Sequence, residues 1–211
     1  MTKQEKTLKI IELLSAYYPN PKTTLNFKTP FELLVATILS AQATDKLINS
    51  ITPALFAKYK SANDFANATY EELDALISKV NFHRNKTKSI LSAAKEIVEK
   101  HNGLVPDTMQ DLDALPGVAR KTANVVLGNA YHKAEGIAVD THVMRLSKKL
   151  GLTDKNDPVK IELDLMYLVP KDKWIDFSHL LILYGREFCP ARPHVCPDCP
   201  LGDLCPDLAN G

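Results

Sequence analysis

Apolar side chains recur along most of the chain with the period of an α-helix. The spacing i, i+3, i+4, i+7 appears in segments 10–17, 31–38, 90–97, 123–130 and 177–184. A sustained alternation of polar and β-branched residues, which would indicate a strand, is not found in the sequence. The pattern therefore predicts an all-α protein with almost no strand.

Signals for helix ends support this interpretation. Thr69 followed by Glu72 is typical of a capping box, and Asp157 before a proline is typical of a helix start. Gly103 and Gly151 stand where glycine commonly ends a helix. We expect a series of short helices joined by short connections.

Composition places few limits on function. The 211 residues are 45% hydrophobic and 24% charged, which is typical of a globular protein with a real core. The longest uncharged run, 33–44, has 12 residues, whereas a membrane-spanning helix needs about 20. The charged N-terminus does not resemble a secretory signal, so a cytoplasmic location is expected. A net charge of +1 does not by itself demand a nucleic-acid partner.

The four cysteines are clustered near the C-terminus. Cys189, Cys196, Cys199 and Cys205 are separated by six, two and five residues, and no cysteine precedes them. Four thiolates in so short a loop suit one tetrahedral zinc ion or one iron–sulfur cluster. The wide outer spacings favour the larger iron–sulfur core, and zinc remains the alternative. This proline-rich, apolar-poor loop needs such a staple to fold.

A Pro-Gly turn lies between two predicted helices in segment 112–127. The first helix is expected to end at Leu115 and the second to begin near Arg120. Backbone amides exposed at such a turn and helix start can hold a phosphate oxygen. Gly117 permits a conformation or a close approach that a side chain would block. The pattern fits anchoring of a DNA backbone, although an ordinary helical hairpin has the same pattern.

Asp140 is predicted to be the N-cap of a further helix, with Val139, Val143 and Leu146 facing the core. Taken alone, an aspartate in this position usually serves only as a cap. The alternative is that its carboxylate lines a cleft opposite Lys121.

Several segments together resemble one family. They are SAQATD (40–45), LNFKTPFELL (25–34), LPGVARKTANVVL (115–127), AVDTH (138–142), WIDFSHLLILYGREFC (174–189) and the four-cysteine loop. In this combination the chain resembles, over nearly its whole length, the endonuclease III family of helix-hairpin-helix DNA glycosylases. The cysteine spacing combined with the hairpin and its lysine is the specific part of the match.

The resemblance implies two helical domains with a DNA-binding cleft between them. Residues 23–134 would form a six-helix barrel that contains the helix-hairpin-helix motif at about 108–132. Residues 1–22 and 135–211 would form the second domain, in which the cysteine loop 189–205 holds a [4Fe–4S] cluster. The resemblance also implies a cytoplasmic, nucleoid-associated bacterial enzyme that acts as a monomer and has no membrane partner.

The implied chemistry is base-excision repair of double-stranded DNA. The enzyme would remove an oxidised pyrimidine by flipping the nucleotide out of the stack. Lys121 would attack C1′ of the sugar, and β-elimination through the resulting Schiff base would cut the strand 3′ to the abasic site. Asp140 would stabilise positive charge on the sugar and assist proton transfer.

Further DNA contacts follow from the resemblance. Those of the hairpin would be Gly117, Val118, Ala119, Arg120 and Thr122. Gln42 would fill the gap left by the flipped base, and Phe82 would act as the wedge, although a core position is the alternative for Phe82. His142 would contact DNA or orient Asp140. His179 would pack inside its domain, and Arg192 and His194 would either contact phosphates or face solvent.

Two positions depart from the usual family pattern. Ala119 stands where the hairpin commonly has a second glycine, and Asn81 stands where glycine commonly precedes the wedge. A Cβ at Ala119 narrows the approach of a phosphate to the backbone. We therefore expect the hairpin to keep its fold and its affinity for DNA to be altered.

Three other functions remain as alternatives. A monofunctional glycosylase would use water directed by Asp140, but such enzymes commonly lack a lysine at the position of Lys121. The adenine glycosylase branch commonly carries an additional C-terminal domain, and because this sequence ends soon after Cys205, we do not expect that branch. A non-catalytic DNA-binding or redox-sensing module would leave the pair of Lys121 and Asp140 without a role.

Overall fold

The computed structural model describes residues 1–194, 196 and 198–206. Within them every regular element is helical and no strand occurs, as the periodicity predicts. The α-helices are α1 Lys3–Tyr17, α2 Pro30–Ser40, α3 Asp45–Lys58, α4 Ala62–Ala66, α5 Tyr70–Ile77, α6 His83–His101, α7 Met109–Ala114, α8 Arg120–Tyr131, α9 Thr141–Lys149, α10 Pro158–Leu168 and α11 Trp174–Glu187. Two 3-10 helices, Lys171–Lys173 and Gly202–Leu204, complete the set.

Most of these helices begin with a side chain that caps the first turn. A threonine, serine or aspartate accepts a backbone N–H at the starts of α1 to α5, α7, α9 and α10. The exceptions are α6, α8 and α11, which begin after Phe82, Ala119 and Lys173 without such a bond. The sequence therefore marks most helix starts with polar caps.

The predicted capping box of α5 forms only in part. The Thr69 side chain accepts the N–H of Glu72, as expected. The reciprocal bond, from the backbone N–H of Thr69 to the Glu72 carboxylate, does not form. The carboxylate lies 3.4 Å from Nζ of Lys58 and accepts a hydrogen bond from the Tyr59 hydroxyl at 3.3 Å. Contacts to a neighbouring helix thus replace the local bond.

Contacts divide the chain into two compact units, the first of which comprises residues 24–133. This unit contains α2 to α8, and α2 is its centre. Residues Phe31 and Leu33–Leu39 of α2 are all buried, which agrees with the uncharged run in the sequence. Helix α2 packs against α3, α6 and α8. Phe65 stacks edge-on against Phe31, with ring centroids 5.2 Å apart.

The second unit comprises residues 1–23 and 134–211. Its core is formed by α1, α9, α10 and α11, and α11 contributes Phe177, Leu180, Leu181 and Tyr184 to it. Cys189 and Leu201, from the cysteine loop, also join this core. The contact division lies next to the domain limits expected from the sequence, and we retain the assignment of a hairpin domain and a cluster domain as a prediction.

Among the described residues, no helix combines the length and the apolar character that crossing a membrane would require.

Candidate active site

The hairpin between α7 and α8 forms where the sequence predicts it. Helix α7 ends at Ala114, Leu115 is its C-cap, and α8 begins at Arg120. The N–H of Val118 donates to the carbonyl of Leu115 at 3.1 Å, and the Val118 side chain is buried. The exposed residues of the hairpin and of the first turn of α8 are therefore Gly117, Ala119 and Lys121.

Gly117 is required by both backbone conformation and packing. Its φ is +76°, in the left-handed region that favours glycine. A Cβ at this position would lie 2.4 Å from the Cβ of Ser89 on α6. Real Cβ atoms do not approach so closely, so the backbone of the hairpin can rest on α6 only because residue 117 has no side chain.

We expect Gly117→Ala to lower the free energy of unfolding by about 3 kcal/mol, because left-handed strain adds to overpacking against Ser89. Gly151→Ala is the matched control. Gly151 has a φ of +74°, and a Cβ there would meet nothing within 4 Å. It should therefore show the backbone strain alone, about 1 kcal/mol. Thermal and urea unfolding of both variants measures the difference, and equal losses would contradict the packing argument.

Lys121 lies in the first turn of α8, and its side chain is exposed. Ala119, the N-cap, has no side chain that could accept the amides of that turn. Arg120 and Thr122, on either side of the lysine, are half-buried. A helix start without a polar cap offers its amides to an anion, and a phosphate bound there would lie beside an accessible amine. The arrangement suits a nucleophile that must work next to a DNA backbone.

Asp140 is the N-cap of α9, as predicted. Its Oδ1 accepts the N–H of Val143 at 2.8 Å, and Val139, Val143 and Leu146 are buried. This bond fixes the carboxylate at the start of the helix and uses one of its two oxygens. Asp140 belongs to the second unit and Lys121 to the first. That they face one another across a cleft remains a prediction.

Two histidines lie on helices α9 and α11 of the second unit. The ring of His142 packs against α11, where a Cβ on Gly185 would come within 2.8 Å of its Nδ1. His179 is buried on α11, as expected. Burial lowers the pKa of His179, and the carboxylates of Asp176 and Asp140 act in the opposite direction.

Gln42 and Phe82 are both exposed, and both have left-handed backbones, with φ of 55° and 59°. Phe82 retains 62% of its surface exposed, so the alternative of a core position does not apply. A bulky residue with positive φ is unusual, and such strain is common at functional sites. The position of Phe82 suits a wedge, while its contact with DNA remains a prediction.

The four cysteines of segment 189–205 are free thiols. Cys189 and Cys205 are buried, and Cys196 and Cys199 are half-buried. Burial raises the pKa of the Cys196 thiol, and the other three cysteines raise it further by their charge. In the described part of the chain, no group of three or more His, Cys, Asp or Glu side chains is arranged for a single metal ion. The assignment of these four cysteines as ligands of one inorganic core therefore remains a prediction.

The contact of Arg145 with the first cysteine could not be predicted from the sequence. On α9, its guanidinium donates to the carbonyl of Cys189, and Nη1 lies 3.7 Å from the Cys189 Sγ. A positive charge beside a thiolate stabilises it. On the other side, the hydroxyl of Tyr184 lies 3.3 Å from the Sγ of Cys199. The helix that begins at Asp140 thus also supports the first cysteine.

Arg192 and His194 lie in the cysteine loop. Arg192 is exposed, and Nδ1 of His194 lies 2.8 Å from the carbonyl oxygen of Arg192. A contact of either residue with phosphate remains a prediction.

Comparison with known proteins decides the family. Residues 35–171 match the HhH-GPD superfamily of base excision DNA repair proteins. The chain is 48% identical to the endonuclease III of Synechocystis sp. over 205 residues, which cover 97% of this chain and 94% of that protein. The chain belongs to the endonuclease III family of this superfamily. The endonuclease III of Escherichia coli is 38% identical over 95% of the chain and 94% of its own length.

Solved endonuclease III structures share the whole fold. A non-covalent endonuclease III–DNA complex and a trapped endonuclease III–DNA covalent intermediate both match with a TM-score of 0.92 and 39% identity, covering 100% of this chain and 98% of that one. A thermostable thymine-DNA glycosylase matches with a TM-score of 0.86 at 21% identity, which shows the fold alone.

These comparisons confirm the predicted family, the all-α helix-hairpin-helix fold and the enzyme class. The chain is a base-excision repair enzyme, a DNA glycosylase with AP lyase activity, and DNA is its partner. Endonuclease III proteins generally carry a [4Fe–4S] cluster.

Proposed function

We propose that this enzyme removes oxidised pyrimidines from duplex DNA and then cuts the strand through a Schiff base on Lys121. The observation that carries the proposal is the exposed side chain of Lys121 in the first turn of α8, directly after a hairpin in which Gly117 and Ala119 are exposed. A glycosylase that only directs water needs no amine at this position. Family membership supplies the class of reaction, and the lysine supplies the nucleophile.

In the first step, the lesion nucleotide leaves the stack so that C1′ of its sugar becomes accessible. The Lys121 Nζ attacks C1′, the bond between C1′ and the base breaks, and the base leaves with a proton. The sugar ring opens to give an imine between Nζ and C1′. Loss of a proton from C2′ then expels the 3′ phosphate oxygen from C3′. Water then hydrolyses the imine, which restores the Lys121 amine and releases the free base and a strand cut 3′ to the site as products.

Asp140 would act on the positive charge that develops on the sugar and on the protons that move. A carboxylate stabilises such a charge most when its position is fixed before the reaction. Asp140 meets this condition because its Oδ1 is held by the N–H of Val143, in a helix whose inner face is buried. One carboxylate oxygen caps α9. We propose that the carboxylate also acts in the reaction.

The DNA contacts that we propose are Gly117, Val118, Ala119, Arg120 and Thr122 at the hairpin, His142 beside Asp140, and Gln42 and Phe82 at two further loops. The exposure of Gly117 and Ala119 supports phosphate binding through the backbone. Val118 is buried, so its contribution would come from backbone atoms. The exposure of Gln42 and Phe82 supports their insertion into the duplex.

We further propose that Cys189, Cys196, Cys199 and Cys205 hold the [4Fe–4S] cluster. When bound, such a cluster supplies four metal–thiolate bonds that fix loop 189–205. Arg145 supports the proposal because its guanidinium is placed beside Cys189, where it would offset thiolate charge. A nucleoid-associated cytoplasmic location in a bacterium is also part of the proposal, and the two endonuclease III relatives named above are bacterial.

The cluster proposal predicts a coloured, iron-loaded protein. Purified without air, the wild-type chain should contain about four iron and four sulfide per chain. Cys189→Ser should lose most of the iron and lower the midpoint of thermal unfolding, because the loop loses its staple. Ser178→Ala, a buried hydroxyl on α11, is the control and should keep the iron. A colourless protein with one zinc per chain would contradict the proposal.

The experiment that tests the whole function is borohydride trapping on duplex DNA that contains one thymine glycol. Borohydride reduces a Schiff base to a stable adduct between protein and DNA. We expect an adduct and a cut strand. Release of free base without an adduct would instead indicate water attack directed by Asp140. Thymine glycol that remains intact would contradict the proposed substrate.

A further inference from the structure

Two loops of the first unit present the two strained, exposed residues. Gln42 lies in the loop between α2 and α3, and Phe82 lies at the start of α6, 40 residues later. Both side chains are exposed at left-handed positions. Left-handed strain in non-glycine residues persists only where the surrounding structure holds it in place. Contacts that hold these two loops should therefore be present.

A hydrogen bond joins the two loops directly. Nδ2 of Asn81 donates to the carbonyl of Gln42 at 2.9 Å. The bond therefore connects the backbone of Gln42 with the residue that immediately precedes Phe82.

A buried lysine forms the second connection. Lys86, on the first turns of α6, is only 7% exposed. Its ammonium donates to the carbonyls of Leu39, at 2.8 Å, and Ala41. These carbonyls stand at the C-terminal end of α2, where a positive charge is favourable. Burial lowers the pKa of Lys86, and the two carbonyls stabilise its charged form.

A third contact fixes the start of α6 from the other side. Nδ1 of His83 lies 2.7 Å from Oδ1 of Asp74 on α5, and the same oxygen accepts a hydrogen bond from Thr87 at 3.1 Å. Residues 81 and 86 are thus anchored to segment 39–42, and residue 83 is anchored to α5, on both sides of Phe82. The turn that presents Phe82 cannot shift without breaking at least one of these contacts.

We propose that Asn81 and Lys86 are positioning residues that lock the Gln42 loop to the Phe82 turn, so that both side chains enter the duplex as one rigid unit. The inference rests on the proposed function, because it assumes that both side chains enter DNA. Ordering a loop costs conformational entropy, and a lock formed before binding removes that cost from the flipping step. Asn81 is the exposed half of the lock, and Lys86 is the buried half.

The lock predicts which substrates depend on Asn81. Insertion is needed where a lesion faces an intact partner base, because the duplex must be held open and the partner supported. It is less needed where the lesion faces an abasic site, which leaves no partner base to support. Loss of the lock should therefore slow base release from the first substrate and leave the second unchanged. A general loss of stability would slow both.

The experiment compares Asn81→Ala with Asn85→Ala in single-turnover base release from thymine glycol. Asn85 is an exposed asparagine one turn into α6 and serves as the matched control. Opposite adenine, Asn81→Ala should release base about fivefold more slowly, the factor expected for one ordinary hydrogen bond. Opposite a tetrahydrofuran abasic analogue, its rate should equal that of the wild type. Asn85→Ala should match the wild type on both.

A double-mutant cycle tests the coupling itself. If the Asn81 bond acts through Gln42, then Asn81→Ala should have little further effect in a Gln42→Ala background. Lys86→Arg, which keeps the charge, should retain more activity opposite adenine than Lys86→Met. If both Lys86 variants fail to fold, the base-release rates of Asn81→Ala still test the proposal, because Asn81 is exposed.

Two failures are distinguishable. If the wild type releases base, and Asn81→Ala and Asn85→Ala release it at equal rates on both substrates, the lock alone is overturned. Fully additive effects of Asn81→Ala and Gln42→Ala would overturn it as well. If the wild type releases base from neither of the two substrates, the proposed function and the lock are overturned together.

Discussion

Lys121→Ala is expected to abolish the borohydride-trapped adduct and to lower base excision by a factor of about 10³ or more. The covalent step needs an amine, and water in its place lacks both the nucleophilicity and the position. Lys121 is exposed and lies outside the core, so the fold should survive the change. The measurements are the yield of trapped adduct, the rate of base release and strand cleavage on thymine glycol duplex.

Two controls separate catalysis from charge. Lys121→Arg keeps a cation beside the phosphates and should bind DNA nearly as tightly as the wild type, without forming an adduct. Lys160→Ala removes an exposed lysine from the first turn of α10 and should leave all three measurements unchanged. An undiminished adduct in Lys121→Ala would show that another amine forms the Schiff base, and the assignment would be wrong.

Local rules explain why much of the fold could be predicted. The period of apolar residues indicates the helices, because each helix must bury one face. Caps act within three or four residues, so Asp140 and Asp157 could be assigned from the sequence and are confirmed as N-caps. Gly117 could also be singled out, since a Pro-Gly turn between helices commonly needs a left-handed residue. The structure adds the reason that sequence could not supply, the contact with Ser89.

Contacts between distant segments explain what was missed. Lys86 looks like an ordinary solvent-facing lysine in the sequence, and lysine is seldom buried. Its burial depends on carbonyls 45 and 47 residues away. The bond from Asn81 to Gln42 spans 39 residues, and the contact of Arg145 with Cys189 spans 44. Such pairs follow from how helices pack, which the periodicity of one segment does not specify.

The catalytic roles of Lys121 and Asp140 also cannot be assigned from local sequence alone. The hairpin and the N-cap of α9 each follow from local sequence, and each has an ordinary structural explanation. The resemblance joined them into one site, and family membership now supports the reaction class. The role of each residue is decided only by variants that keep its contribution to the fold and remove the chemical group proposed to act in the reaction.

Asp140 permits such a separation, because an asparagine in its place would still cap the helix. We expect Asp140→Asn to slow base excision by a factor of about 10²–10³ and to leave stability nearly unchanged. Asparagine is as good an N-cap as aspartate, so its side-chain oxygen can accept the N–H of Val143 in place of Oδ1. The negative charge, which the sugar cation needs, is lost. Single-turnover base release and thermal unfolding measure the two effects separately.

Asp157→Asn is the matched control, since Asp157 caps α10 through the N–H of Lys160 at 3.0 Å. It makes the same chemical change at an equivalent cap and should affect neither excision nor stability. A preformed abasic site adds a second comparison, because there the base has already gone and Lys121 can form its imine without glycosidic cleavage. Asp140→Asn should therefore retain more adduct on an abasic site than on thymine glycol. If Asp140→Asn excised the base at the wild-type rate, Asp140 would be a helix cap and nothing more.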